Sequence, residues 1–271
     1  MFVSAKMTED EMSELKKNNE KVFFRSSYDF LKIHKGLRPG LTHLVIGMPS
    51  GGKSTLRDSL IFDFLNHNPG KNVLLWLSEE AANSFKMKVA NNKEFNGMMD
   101  RVFIYSERDN KNIGGNNQVL IDRIAEGVMK SNASLFILDN ITTSELYKGG
   151  YEQQDYTADQ LKGIFEGTQC PLVIFAHTSS NIKQGHSAII DMTDIRGSRG
   201  LVNIAEYMYI LQSFVLDKNM FTTVRLAKHR DQNVSEKMYA LNYNQEKRFY
   251  DVDVKIDFEH FKKLYKKQNK F

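Results

Sequence analysis

The segment 47–54, Gly-Met-Pro-Ser-Gly-Gly-Lys-Ser, constrains the fold of this chain more than any other feature. It follows the apolar run LTHLVI and leads into a helix-length stretch, STLRDSLIFDFLNH. A glycine-rich turn between a buried strand and a helix, closed by Lys-Ser, matches the phosphate-binding P-loop pattern. Gly47, Gly51 and Gly52 let the backbone curl so that its N–H groups face phosphate oxygens, and the helix behind adds the positive end of its dipole. Lys53 is expected to reach the β- and γ-phosphates, and the Ser54 hydroxyl to ligate Mg²⁺. Pro49, Ser50 and Thr55 complete the expected nucleotide-binding stretch. The motif implies a nucleoside-triphosphatase, and ATP and Mg²⁺ are the expected cofactors.

The rest of the chain follows a strand–helix rhythm. Near-continuous apolar runs at 44–47, 73–77, 102–105, 135–138, 172–176 and 207–211 read as strands covered on both faces. Helical stretches lie between most of them, at 53–66, 80–92, 117–130 and 155–168. Such alternation predicts an α/β fold with a mainly parallel twisted sheet flanked by helices. After Thr222 the runs shorten to 222–228, 237–242 and 249–252, which predicts an antiparallel extension.

Three parts are expected: an N-terminal helical arm over 1–35, a motor core over 36–256 and a basic tail over 257–271. In the arm, Thr8 and Glu11 form a capping box. The helix they start carries only Met7, Met12 and Leu15 as apolar residues, so it needs a surface to lie on, its own body or a neighbour. A second short helix is expected at 27–35, then a turn at Gly36-Leu37-Arg38-Pro39-Gly40. The tail holds Lys262, Lys263, Lys266, Lys267 and Lys270 and reads as a solvated helix or frayed end before a binding tail. The stretches 142–155 and 179–193 have the composition of mobile loops, and both follow strand ends.

Composition excludes little else. The formal net charge of +4 permits a polyanionic partner without demanding one. A single cysteine, Cys170, rules out a disulfide framework and reads as a small buried hydrophobe. No run approaches the roughly 18 apolar residues of a membrane span, so no membrane partner and a cytoplasmic setting are expected.

Four further positions carry chemistry. Asp139 ends the run Leu-Phe-Ile-Leu-Asp, where a P-loop enzyme holds Mg²⁺, though a strand-end Asp can also cap a turn. Glu79 and Glu80 follow the strand at 73–77. One is expected to polarise the attacking water, Glu79 before Glu80, and the other to favour the next helix's dipole. His177 ends the strand at 172–176, where an imidazole can contact a γ-phosphate or simply be a satisfied surface residue. Lys228-His229-Arg230, read alone, is a basic strand end; a cation so far from the P-loop is also a candidate arginine finger.

Taken together, these segments resemble the RecA-like motor domain of DnaB-type replicative helicases, above all the helicase half of phage primase–helicases and Twinkle. The resemblance runs over residues 30–252 through GLRPG, PSGGKST, LSEE at 77–80, LFILDN at 135–140, FAH at 175–177, DIRGSRGL at 194–201, Lys228-x-Arg230 and LNYNQE around Tyr243. The DIRGS segment, placed between FAH and K-x-R, is more specific to the family than the P-loop. The resemblance implies that Glu79 activates water, His177 senses the γ-phosphate, and Arg230 reaches the neighbouring subunit's nucleotide with Lys228 beside it. It further implies that Tyr243 packs on the adenine and that Arg196 braces the DNA loop or the subunit contact. It implies a ring, a hexamer, around single-stranded DNA, and a minimal phage- or plasmid-like motor that works with a separate primase or loader.

The loop 179–193 begins two residues past His177. Ser179, Ser180, Asn181 and Lys183 suit contacts to the backbone of single-stranded DNA, and the loop has no aromatic residue for stacking on bases. Two other functions stay open: a RecA- or KaiC-like DNA-associated ATPase that does not unwind (a recombination mediator, loader or switch), and a nucleotide-binding scaffold with negligible turnover. The presence of Lys53, Asp139 and Glu79 together argues against the scaffold.

Overall fold

The computed structural model describes residues 23–110, 117–179, 189–216, 219–230 and 237–268. Nine strands form one sheet in the order β3-β2-β4-β5-β1-β6-β7-β8-β9. The parallel part comprises β1 (Thr42–Gly47), β2 (Asn72–Leu77), β3 (Val102–Ser106), β4 (Ala133–Asp139), β5 (Leu172–His177) and β6 (Tyr207–Leu216). The antiparallel part adds β7 (Asn219–His229), β8 (Lys237–Asn244) and β9 (Phe249–Ile256).

Alternation along the parallel strands feeds two cores. Val73, Leu75, Leu135, Ile137 and Val173 face one side, under α1 (Asp29–Lys32), α2 (Lys53–His67), α3 (Ala82–Ala90) and α4 (Lys93–Asn96). Leu74, Trp76, Phe136, Leu138 and Ile174 face the other, under α5 (Asn117–Ser131), α6 (Tyr151–Thr168) and α7 (Gly200–Ile204). Burial on both faces is why these strands read as unbroken apolar runs. Cys170 is buried. No helix among the described residues is long and apolar enough to cross a membrane.

Several boundaries differ from the sequence reading, each for a local reason. The stretch 142–155 is ordered. Asn140 and Ser144 side chains accept backbone N–H groups at the start of two 3-10 turns, Ile141–Thr143 and Glu145–Tyr147, while Leu146 and Tyr147 are buried; α6 then starts at Tyr151. The helix expected at 80–92 is shorter and is followed by a separate turn of helix, because the Asn92 side chain caps α4. β6 continues past Leu211, the last residue paired with β1, because β7 still pairs with it to Leu216.

At the amino end, residues 1–22 and the expected helix from Thr8 lie outside the described residues. The section 24–34 is part of the body. Phe24 bridges to Leu37, and Tyr28, Phe30 and Leu31 are buried. The Asp253 carboxylate accepts the Asp29 and Phe30 amides at 2.9 Å each, fixing the start of α1. At the other end, the stretch read as a solvated helix or frayed basic end forms a helix, α8 (Phe258–Gln268), that is docked on the body. Phe258, Phe261 and Tyr265 recur on one helical face and bury against Phe214 and Met238.

Candidate functional site

Strand register gathers the expected site residues at one edge of the sheet. Gly47 ends β1 beside His177 at the end of β5, and Leu77 ends β2 beside Asp139 at the end of β4. In open parallel sheets this carboxyl edge is where ligands bind.

The 47–54 turn is held by its glycines. Gly52 has φ +87°, and a Cβ there would lie 2.6 Å from the Tyr250 hydroxyl; at Gly47 a Cβ would meet the Leu211 carbonyl at 2.9 Å. A side chain at either place would push the turn off the sheet. α2 starts at Lys53 with no side chain capping it, so its first N–H groups are presented to the pocket. The Lys53 amine donates to the Gly47 and Met48 carbonyls at 3.0 and 2.6 Å. Burial pulls the Lys53 ammonium down to about 8, while Asp139 and Glu79 pull it back up.

Two cavities meet at this turn. The smaller, about 280 Å³, is lined by Ser50, Gly52, Lys53, Ser54, Thr55, Glu79, Asp139, Asn140 and His177. The larger, about 820 Å³, runs from Pro49, Ser50, Gly51, Gly52 and Thr55 to the antiparallel strands, where Leu241, Tyr243 and Tyr250 form its wall. Tyr243 is half-exposed, its ring centroid 5.9 Å from that of Tyr250.

The two glutamates divide. Glu79 faces the smaller cavity, and its Oε1 lies 3.1 Å from His177 Nε2. That hydrogen bond, assisted by Thr143, holds the Glu79 carboxyl below its usual range. Glu80 turns inward and pairs with Arg57 at 2.9 Å and Lys88 at 3.5 Å. Asp139 is buried, with Oδ2 2.6 Å from Arg57 Nη1 and 3.5 Å from Ser54 Oγ. Burial raises its carboxyl above the ordinary range, and Arg57 opposes the shift.

Among the described residues no group of three or more His, Cys, Asp or Glu side chains could hold a metal. Ser54 and Asp139 are nonetheless hard oxygen donors on one wall of the smaller cavity. Mg²⁺ in nucleotide sites takes only one or two protein oxygens and fills its octahedron with phosphates and water. These two residues fit that demand. The edge as a whole can hold an anion against Lys53 and backbone N–H groups and can orient a water on an ionised carboxylate.

Not every expected residue comes to this edge. Lys228 and Arg230 follow the antiparallel course of β7 and end beside Met208 and Tyr207, near the start of β1. That is roughly 13 Å along the strand from Gly47. There Lys228 Nζ donates to the Val202 carbonyl at 2.6 Å, and the half-exposed Arg230 guanidinium reaches the Asn203 carbonyl and Glu206. Ser179 and Arg196 do lie at the site edge: the Ser179 amide donates to the Asp194 carbonyl at 2.7 Å and the Arg196 amide to the His177 carbonyl at 2.9 Å. The chain leaving His177 thus returns to it. Ser180, Asn181 and Lys183 lie outside the described residues.

Arg57 and Tyr250 escaped the sequence reading. Arg57 stands four residues after Lys53, a spacing that puts both on one side of α2 and could have flagged it. Tyr250 carried no signal, since only the packing of β9 against α2 brings it to Gly52. No family model matches the chain, and no curated protein is significantly similar to it.

Proposed function

We propose that the chain is an Mg²⁺-dependent ATP hydrolase with a RecA-like core, working as a DnaB-type helicase. In this reading, copies form a ring, six by the resemblance, and translocate on single-stranded DNA. One observation carries the hydrolase part: the 47–54 turn, the Ser54–Asp139 pair and the Glu79–His177 pair line the same cavity. The triphosphate occupies that cavity, and the base lies in the adjoining one against Tyr243. Bound Mg²⁺, held by Ser54 and Asp139, supplies charge neutralisation on the phosphates. Lys53 and the first amides of α2 bind the phosphate oxygens, and Glu79, ionised and steered by His177, orients the attacking water.

The position of Arg230 supports the ring reading. In one copy it sits near the far edge of the sheet from its own turn, so a finger role acts on a neighbour's nucleotide. The DNA contact is supported by the return of the chain to His177 at Ser179 and Arg196, which would put a γ-phosphate sensor beside the two ends of the 179–193 loop. A DNA-stimulated ATPase assay followed by strand displacement tests the reading. Stimulated hydrolysis with displacement supports a helicase. Stimulated hydrolysis without displacement favours the RecA- or KaiC-like ATPase.

A further inference from the structure

Arg57 is a buried cation that the proposed chemistry leaves unused. Its side chain is 1% exposed and contacts three carboxylates: Nη1 meets Asp139 Oδ2 at 2.6 Å, Nη2 meets Glu80 Oε2 at 2.9 Å, and Asp58 Oδ1 lies 2.8 Å from Nε and 2.7 Å from Nη2. The carboxylates come from three places: the end of β4, the turn after β2, and α2 itself. The guanidinium also packs on the Phe85 ring of α3, 5.2 Å from its centroid. Lys88 closes the cluster, 2.8 Å from Asp58 Oδ2 and 3.5 Å from Glu80 Oε1.

We propose that Arg57 is a positioning residue that fixes the Asp139 carboxylate against Ser54 and ties it to the turn carrying Glu79. The inference rests on the hydrolase reading and deepens it. Asp139 Oδ2, which Arg57 grips, is the oxygen that also faces Ser54 Oγ. Glu80, gripped by the other arm, is bonded through one peptide to Glu79. One planar group therefore sets both the metal-side carboxylate and the start of the water-orienting side chain. A lysine cannot do this: it is a point charge on a flexible stem, whereas guanidinium donors leave in fixed directions. The competing account is an ion cluster that only stabilises the fold.

The test uses the full chain as wild type, Arg57→Lys and Glu80→Gln, with two readouts. One is equilibrium binding of a fluorescent ADP analogue in EDTA and in Mg²⁺; the other is kcat and KM for ATP. Arg57→Lys should bind the analogue in EDTA as the wild type does. It should lose about tenfold of the tightening that Mg²⁺ gives, as expected when the partner of a ligating carboxylate is lost. Glu80→Gln keeps the Arg57–Asp139 contact, so it should retain the Mg²⁺ effect and lose about tenfold in kcat with KM little changed. A folded Arg57→Lys protein with an unchanged or larger Mg²⁺ effect overturns the inference. Should Arg57→Lys not fold, a wild-type kcat in Glu80→Gln overturns it alone. A wild type that neither binds the analogue nor hydrolyses ATP refutes the hydrolase reading itself, a result distinct from an active wild type with indifferent variants.

Discussion

Glu79 Oε1 and His177 Nε2 lie 3.1 Å apart across 98 residues of sequence, and each follows a different parallel strand to the same sheet edge. Glu80, one residue on, is drawn inward by Arg57 and Lys88. In the proposed hydrolase, water orientation therefore falls to Glu79 and not to Glu80. Glu79→Gln should bind nucleotide and lose turnover by about 10²–10⁴-fold, the usual weight of a general base. Glu80→Gln should lose less and should lower the melting temperature, because it removes a negative charge paired with buried Arg57. Single-turnover hydrolysis and thermal melts decide it. The reverse order of rate effects would move the catalytic role to Glu80.

Near the start of β1, His34, His43, Tyr207 and Tyr209 form a buried aromatic cluster, with His229 at its edge. His34 Nδ1 donates to the Gly36 carbonyl at 2.8 Å, so Nε2 is left to accept the Tyr209 hydroxyl. Burial lowers His34 to about 4 and pushes His43 well below its usual range, with Arg38 repelling a proton from both. The unfolded chain binds these protons near pH 6.5, and the folded chain resists them until near pH 4 for His34. The stability they leave is complete above pH 6.5 and is lost as pH falls through that window. The expected slope is about 1.4 kcal/mol per pH unit for each histidine. Urea titrations at pH 7 and 5 measure it, and His34→Gln should flatten the slope by one proton. A pH-independent midpoint in wild type would contradict the burial of neutral imidazoles.

Arg230 is tested by mixing. Arg230→Ala and Lys53→Ala subunits, inactive separately, should regain ATPase when co-assembled, because some composite sites take an intact turn from one and an intact guanidinium from the other. No recovery in verified mixed assemblies would leave Arg230 with its observed partners, Asn203 and Glu206, as its only role.

Lys183 lies outside the described residues, and its assignment rests on sequence. Lys183→Ala should weaken single-stranded DNA binding at saturating non-hydrolysable ATP and make the salt dependence shallower by about 0.7 in log–log slope for each lysine lost from the contact. Unchanged affinity and slope would remove it from the DNA site.

Much of this arrangement was legible beforehand. The strands were, because two-sided burial leaves them apolar throughout, and so was the 47–54 turn, whose glycines answer backbone constraints. Features decided by tertiary contact were not. The aromatic residues at 24–30 read as part of an N-terminal arm, because Asp253 and the strands that receive them lie far along the sequence. The lysines of α8 masked the spacing of Phe258, Phe261 and Tyr265. Arg57 looked like an ordinary helix residue, since its three carboxylates meet only when β4 and the turn after β2 come together.

In the proposed function, this cavity hydrolyses ATP in the service of movement on DNA. Steady-state ATPase of the purified chain, with and without Mg²⁺ and a homopolymeric single-stranded DNA, tests it most directly beside Lys53→Ala. The Lys53 amine donates to carbonyls of its own turn, so its loss should leave the fold intact by circular dichroism. Hydrolysis should require Mg²⁺ and Lys53 and should rise with DNA. Equal turnover by a well-folded Lys53→Ala protein, or no hydrolysis by the wild type under any of these conditions, would contradict it.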